Sequence, residues 1–253
     1  MRGFAWLPAS GLCFALLLLA ACGHPQPGSV RVFASASLAA AFEELSEAFS
    51  TQQGVPVQLH TAGTARLVVQ WRESAAADVF ASADSKSLAA VLDALGEGAP
   101  PATEFATNQL ALVFDRDNPH RIESVADLTQ PRLRVALAGP EVPAGRYARR
   151  ALAKAKVELR SVSDEPSVRA LLQKVALGEL DAAVVYASDL QHLPEGVAGQ
   201  PLPPGLQPDI RYPLAALPAA DGQISEDARA FVDFVQSVEG QQILRDHGFG
   251  AAR

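Results

Sequence analysis

The stretch RVFASASLAAAFEELSEAF, residues 31–49, decides the fold. Val30, Val32 and Phe33 form a short apolar, β-rich run. Leu38, Phe42, Leu45 and Phe49 then recur at helical spacing, with Glu43, Glu44 and Glu47 facing outward. The period changes at Ala36-Ser37, so the stretch reads as strand, tight turn and helix. Ser37 stands at the junction, where its hydroxyl can cap the helix and the free N–H groups of the first turn attract an anion. Capping alone accounts for one such serine; a binding role needs other helix starts to converge on it.

Working outward, the same unit recurs. Val55 to Leu59 reads as a strand, and Thr61-Ala62-Gly63-Thr64 leads into a helix from Ala65 to about Trp71, with Thr64 again a hydroxyl at a strand-to-helix turn. Asp78 to Ser82 is a third strand, and Ala83-Asp84 opens a helix through Leu88, Val91 and Leu95. Strands alternating with helices over short connections imply an α/β fold with a parallel sheet, whose ligands lie beyond the carboxyl ends of the strands. Ser37 and Thr64 both fall there.

The pattern breaks into Gly and Pro over Gly96 to Thr103 and resumes as a strand from Gln109 to Phe114, which places a crossing to a second lobe near Glu104 to Asn108. In that lobe Arg132 to Leu137 reads as a strand, and Pro143-Ala144-Gly145 starts a helix carrying Tyr147, Ala151 and Leu152. A small residue such as Ala144 lets backbone N–H groups approach a ligand, although turn chemistry explains it equally well. Val168, Leu171, Leu172 and Val175 mark an amphipathic helix whose start can face the same ligand. Asp181 to Tyr186 is a buried strand ending in a tyrosine, either a core aromatic or a hydroxyl offered at the rim. The Pro-rich run Pro201 to Pro208 is a second crossing, after which Ile210 to Leu217 is a strand. The last helices carry Phe231, Phe234, Val235 and Val238 on one stripe that packs back on the first lobe.

With 253 residues and 49% hydrophobic content the chain can bury a substantial core, and its formal charge of -7 argues against nucleic-acid binding. The two cysteines, Cys13 and Cys22, leave no disulfide framework or thiolate metal site. Residues 1–21 read as a signal peptide: Arg2, an apolar run from Leu12 to Ala21, then Leu19-Ala20-Ala21-Cys22, which resembles the bacterial lipobox and makes Cys22 a lipid anchor. Residues 22–29 form a tether. The five histidines, His24, His60, His120, His192 and His247, fall in no triad motif or zinc-ligand spacing, and no Gly-x-Ser-x-Gly elbow occurs. A hydrolase is therefore the weaker reading of the exposed hydroxyls.

Taken together, Phe33-Ala34-Ser35-Ala36-Ser37-Leu38, Ala77 to Asp84, Val142-Pro143-Ala144-Gly145-Arg146-Tyr147-Ala148, Val184-Val185-Tyr186 and Asn108 to Val113 resemble the molybdate-binding proteins of bacterial ABC transporters. The resemblance runs in order along nearly the whole mature chain. It implies a two-lobed periplasmic binding protein of type II, each lobe a mainly parallel sheet flanked by helices, with residues 30–105 and 209–253 as lobe I and 106–208 as lobe II. It further implies that Ser37, Thr64, Ala144, Val168 and Tyr186 ligate a molybdate or tungstate oxyanion, with no direct metal ligand, no cofactor and no cationic clamp. Thr64 departs from the serine more usual in relatives. The implied protein is a monomeric, non-enzymatic receptor in the periplasm or cell envelope, held to the membrane through Cys22, that serves an ABC permease. Sulfate, or a small organic or amino acid, is the alternative ligand. An organic acid or amino acid would call on Arg146, Arg149 or Arg169, each on a helix where a solvent-facing role is at least as well supported.

Overall fold

The computed structural model describes residues 28–74 and 76–252. The signal-peptide and lipid-anchor readings, and all but the end of the tether, lie outside the described residues. In chain order, β1 (Val30–Ser35), α1 (Ala39–Gln53), β2 (Val57–Ala62), α2 (Thr64–Ser74), β3 (Val79–Ala81), α3 (Ser85–Leu95) and β4 (Thr103–Asn108) come first. β5 (Leu110–Asp115), β6 (Val135–Ala138), α4 (Pro143–Lys154), β7 (Asp164–Glu165), α5 (Val168–Ala176), β8 (Ala182–Tyr186) and β9 (Val197–Pro201) follow. The chain closes with β10 (Ile210–Ala216), α6 (Glu226–Gln236), α7 (Val238–Asp246) and β11 (Gly250–Ala251).

These strands make two mixed sheets, β11-β4-β10-β3-β1-β2 and β7-β6-β8-β5-β9. Parallel pairing joins β1 to β2 and β3, and β6 to β7 and β8. The strands that cross between lobes, and β9 and β11, run antiparallel to their neighbours. The carboxyl ends of β1, β3, β6 and β8 lead into the turns and helices that face the other lobe.

The crossing is short, since β4 ends at Asn108 in one sheet and β5 begins at Leu110 in the other. The return strand is stitched to it by one side chain. Gln207 accepts from the Leu110 N–H at 2.7 Å and donates to the carbonyls of Leu110 at 3.0 Å and Leu202 at 2.8 Å. A side-chain amide that satisfies both backbone groups of one residue completes the hydrogen bonding where the sheets diverge.

Local departures from the sequence reading have physical causes. The second strand starts at Val57 rather than Val55, because Pro56 has no N–H to give the ladder; its carbonyl accepts from Val30 at 2.9 Å. Val238 is 87% exposed rather than on the Phe231 stripe. The helix breaks at Ser237, whose hydroxyl caps a new one through the Gly240 N–H at 3.1 Å, and the periodicity restarts there. The rest of the stripe packs on lobe I, with Phe231 set edge-on to Phe49 at 5.2 Å and Phe234 5.7 Å from the same ring.

Candidate functional site

Ser37, Thr64, Ala144, Val168 and Tyr186, which lie up to 149 residues apart in the chain, line one small cavity between the lobes, together with Ser35, Gly63, Ala83, Val142 and Ser167. About 10 Å³ of space remains, room for the centre of about one water molecule. A ligand that fits is compact, and the walls must give to admit it. A larger hollow of about 270 Å³ shares Ser37 and Val168 but reaches instead toward His192 and His247.

Neither hydroxyl is a helix cap. Ser37 lies inside a 3-10 turn, Ala36–Leu38, and α1 starts at Ala39 without a side-chain cap. Its Oγ instead pairs with the Tyr212 hydroxyl at 3.2 Å. Thr64 is the first residue of α2, and its Oγ1 lies 2.7 Å from Ser35 Oγ. The capping explanation thus fails at both positions, and the partner of each is another hydroxyl, not a base. His60 sits on the surface against Gln70 Oε1 at 3.0 Å.

Two amides come from helix starts in the other lobe. Ala144 follows Pro143 at the N-terminus of α4, and Val168 follows its cap Ser167, whose Oγ accepts from the Ala170 N–H at 3.2 Å. Groups in a first turn have no carbonyl four residues back, so they remain available to a ligand and carry the positive end of the helix dipole. Gly145 explains how α4 comes so close: a Cβ there would stand 2.1 Å from the Ala138 carbonyl and 2.2 Å from that of Gly139. Arg149 braces this join, donating to the Ala138 and Gly145 carbonyls at 2.6 and 3.1 Å and to Asp164 at 2.7 Å.

Tyr186, 1% exposed at the end of β8, completes the wall, and its hydroxyl is buried with no hydrogen-bond partner among the described residues. Burial, reinforced by the neighbouring Tyr212, holds the Tyr186 phenol well above its usual pKa, so it stays a proton-bearing donor. An orphaned buried hydroxyl is costly, which marks the place of a missing partner.

Among the described residues, no Lys or Arg lines the small cavity. Arg146 turns inward from α4, away from solvent, and binds Asp84 on the opposite lobe, also reaching Ser87 Oγ at 3.4 Å. Arg149 is spent on the brace just described, so two of the three arginines considered from the sequence are committed to protein groups. Arg169 is exposed and borders the larger hollow. Ser35, Tyr212, Gly63 and the Arg146–Asp84 pair are features that sequence reasoning missed. Each acts through a contact with a distant part of the chain, although Ser35 stood in view two residues before Ser37.

Residues 30–250 match the family model described as bacterial extracellular solute-binding protein. The chain is 37% identical over 259 residues to the molybdate-binding protein ModA of Mycobacterium tuberculosis, covering 96% of this chain and 98% of that one. Among solved structures, the periplasmic molybdate-binding protein of Azotobacter vinelandii superposes with a TM-score of 0.75 at 17% identity, covering 89% of this chain and 100% of that one. The sulfate-binding protein SubI of Mycobacterium tuberculosis superposes with a TM-score of 0.69 at 19% identity, covering 87% and 86%. At such identities the structural likenesses speak to the fold, a two-lobed type II architecture. Fold, family model and relatives agree, and the chain belongs to the bacterial extracellular solute-binding proteins.

Proposed function

We propose that this protein captures molybdate, and tungstate with it, in the interlobe cleft and delivers it to an ABC-type permease as a non-enzymatic receptor. The observation that carries the reading is the Tyr186 hydroxyl, without a hydrogen-bond partner among the described residues and buried in the same wall as Ser37, Thr64 and the helix-start amides of Ala144 and Val168. The hydroxyls of Ser37, Thr64 and Tyr186 and the two amides, with no cation and no carboxylate among the described residues lining the cavity, suit a compact, fully deprotonated tetrahedral dianion. A protonated phosphate oxygen would want an acceptor. The 37% identical relatives named as molybdate-binding proteins support the same ligand.

Residues 30–108 with 209–253 form one closing body and 109–208 the other, the bounds moved from 105/106 because β4 runs on to Asn108 in the first sheet. Cys22 carries the lipid that holds the receptor to the cell envelope as a monomer beside its permease.

Calorimetric titration of the purified protein with molybdate, tungstate, sulfate and phosphate at equal ionic strength tests this. Tight binding of the first two is expected. Sulfate bound as tightly would move the specificity, and no heat with any of the four would overturn the reading.

A further inference from the structure

Resting on the oxyanion reading above, we propose that Tyr212 and Ser35 are positioning residues. Each relays a hydrogen-bond chain that begins at a backbone N–H and turns the proton of one cleft hydroxyl, Ser37 or Thr64, toward the ligand.

In the first chain the direction follows from groups that can only donate. The N–H groups of Gln109 and Ser188 both point to Asn108 Oδ1, at 2.8 and 3.3 Å, which fixes the orientation of that amide. Asn108 Nδ2 therefore faces Ser188 Oγ at 2.9 Å and the Tyr212 hydroxyl at 3.3 Å. A phenol oxygen that accepts from Asn108 has its one proton to give, and Ser37 Oγ lies 3.2 Å away. Having accepted it, Ser37 keeps its own proton for the cleft.

In the second chain the Ala83 N–H donates to Ser35 Oγ at 3.0 Å. Ser35 has one proton and two acceptors in reach, Thr64 Oγ1 at 2.7 Å and the Ala81 carbonyl at 3.3 Å. Giving it to the nearer one leaves the Thr64 proton free. An anion in the cleft selects that arrangement, because the charge-assisted bond it gains is the strongest in the set. Ser37 is thereby poised as a donor before the ligand arrives and Thr64 becomes one as the anion binds, and a ligand oxygen that bears a proton meets no carboxylate among the described residues lining the cavity.

The test is a pair of double-variant cycles read by calorimetry with molybdate and phosphate on the purified protein. Tyr212→Phe keeps the ring packed against Tyr186, Phe105 and Phe249. It is expected to weaken molybdate binding about tenfold when Ser37 is present and by less than about twofold in a Ser37→Ala background. Ser35→Ala should show the same dependence on Thr64, tested against Thr64→Val, and each single variant should narrow the preference for molybdate over phosphate. Equal losses in both backgrounds would overturn the relay, since a role in the fold alone does not depend on the cleft hydroxyl. So would a Ser35→Ala loss that persists without Thr64, which would make Ser35 a direct ligand. If the unsubstituted protein binds no oxyanion, the site reading fails and the relay falls with it, a result distinct from either of those.

Discussion

Gly63 at the start of α2 lies so close to Pro166 of the opposite lobe that a Cβ added to it would stand 2.4 Å from the Pro166 carbonyl oxygen. That spacing is well inside the van der Waals contact of a carbon and an oxygen, and the obstructing atom is backbone, which cannot rotate away. The backbone of Gly63 is not in the left-handed region, so alanine is conformationally acceptable there. Gly63→Ala should therefore fold normally and hold the lobes apart like a doorstop. The expected result is an unliganded melting temperature within a few degrees of the parent and a loss of molybdate affinity of about tenfold or more, about 1.4 kcal/mol. Unchanged affinity would show that the lobes need not approach this closely to hold the ligand.

Tyr186→Phe should move stability and binding in opposite directions. Deleting a buried hydroxyl that has no partner removes a penalty, so the unliganded protein should melt at the same temperature or higher. The bound state loses a hydrogen bond to a charged group, about 1.5 to 3 kcal/mol of affinity. Ser37→Ala should cost a similar amount of affinity without the gain in stability, because its hydroxyl already pairs with Tyr212. Thermal melts with and without molybdate, beside calorimetry, read both quantities. A Tyr186→Phe protein that binds normally would remove Tyr186 from the site.

Arg146 and Asp84 form an ion pair across the cleft, and Asp84 is only 4% exposed. The pairs Arg31–Asp78, Arg134–Asp181 and Arg149–Asp164 each stay within one lobe. Ala83, next to Asp84, lines the small interlobe cavity, so an unpaired carboxylate there would repel a bound dianion as well as suffer burial. Arg146→Gln is expected to weaken molybdate binding by about tenfold or more and to lower the melting temperature. Adding Asp84→Asn should recover part of both, since the amide removes the stranded charge and keeps an oxygen for the Ser87 N–H, now 2.9 Å from Asp84 Oδ1. A double variant worse than Arg146→Gln alone would contradict this electrostatic account.

What sequence could and could not show follows from the range of each interaction. The alternation that makes Val30–Ser35 a strand and places Phe42, Leu45 and Phe49 on one helix face is local, so both were readable. The Ser37–Tyr212 bond spans 175 positions and the Arg146–Asp84 pair 62, and neither leaves a periodic trace. Capping at Ser37 was a sound local reading that a tertiary partner displaced. Arg146 looked solvent-facing because helix periodicity identifies a face but not what a second lobe presents to it.

The last prediction concerns pH. Asp189, just past β8, accepts from the Tyr186 N–H at 2.9 Å, and burial pushes its carboxyl up to about 7 despite that bond. In the unfolded chain the group titrates near 4, so the folded state holds its proton more tightly. The stabilising contribution is therefore complete below about pH 4 and is lost as pH rises through about 7, the direction opposite to that of a salt-bridged carboxylate. The substitution Asp189→Asn would keep an oxygen for the Tyr186 N–H and leave no proton to lose. Denaturant unfolding of the parent and of this variant should show the parent losing about 2 kcal/mol relative to the variant between pH 5 and pH 8, a figure lowered from the full shift because the carboxyl borders the larger hollow and water screens it. Over the same range, the charge that Asp189 gains beside Ser37 and Val168 should weaken molybdate binding in the parent and not in the variant. Parallel pH profiles for the two proteins would mean that Asp189 is ionised throughout, its charge satisfied by the Tyr186 N–H and by water in the hollow.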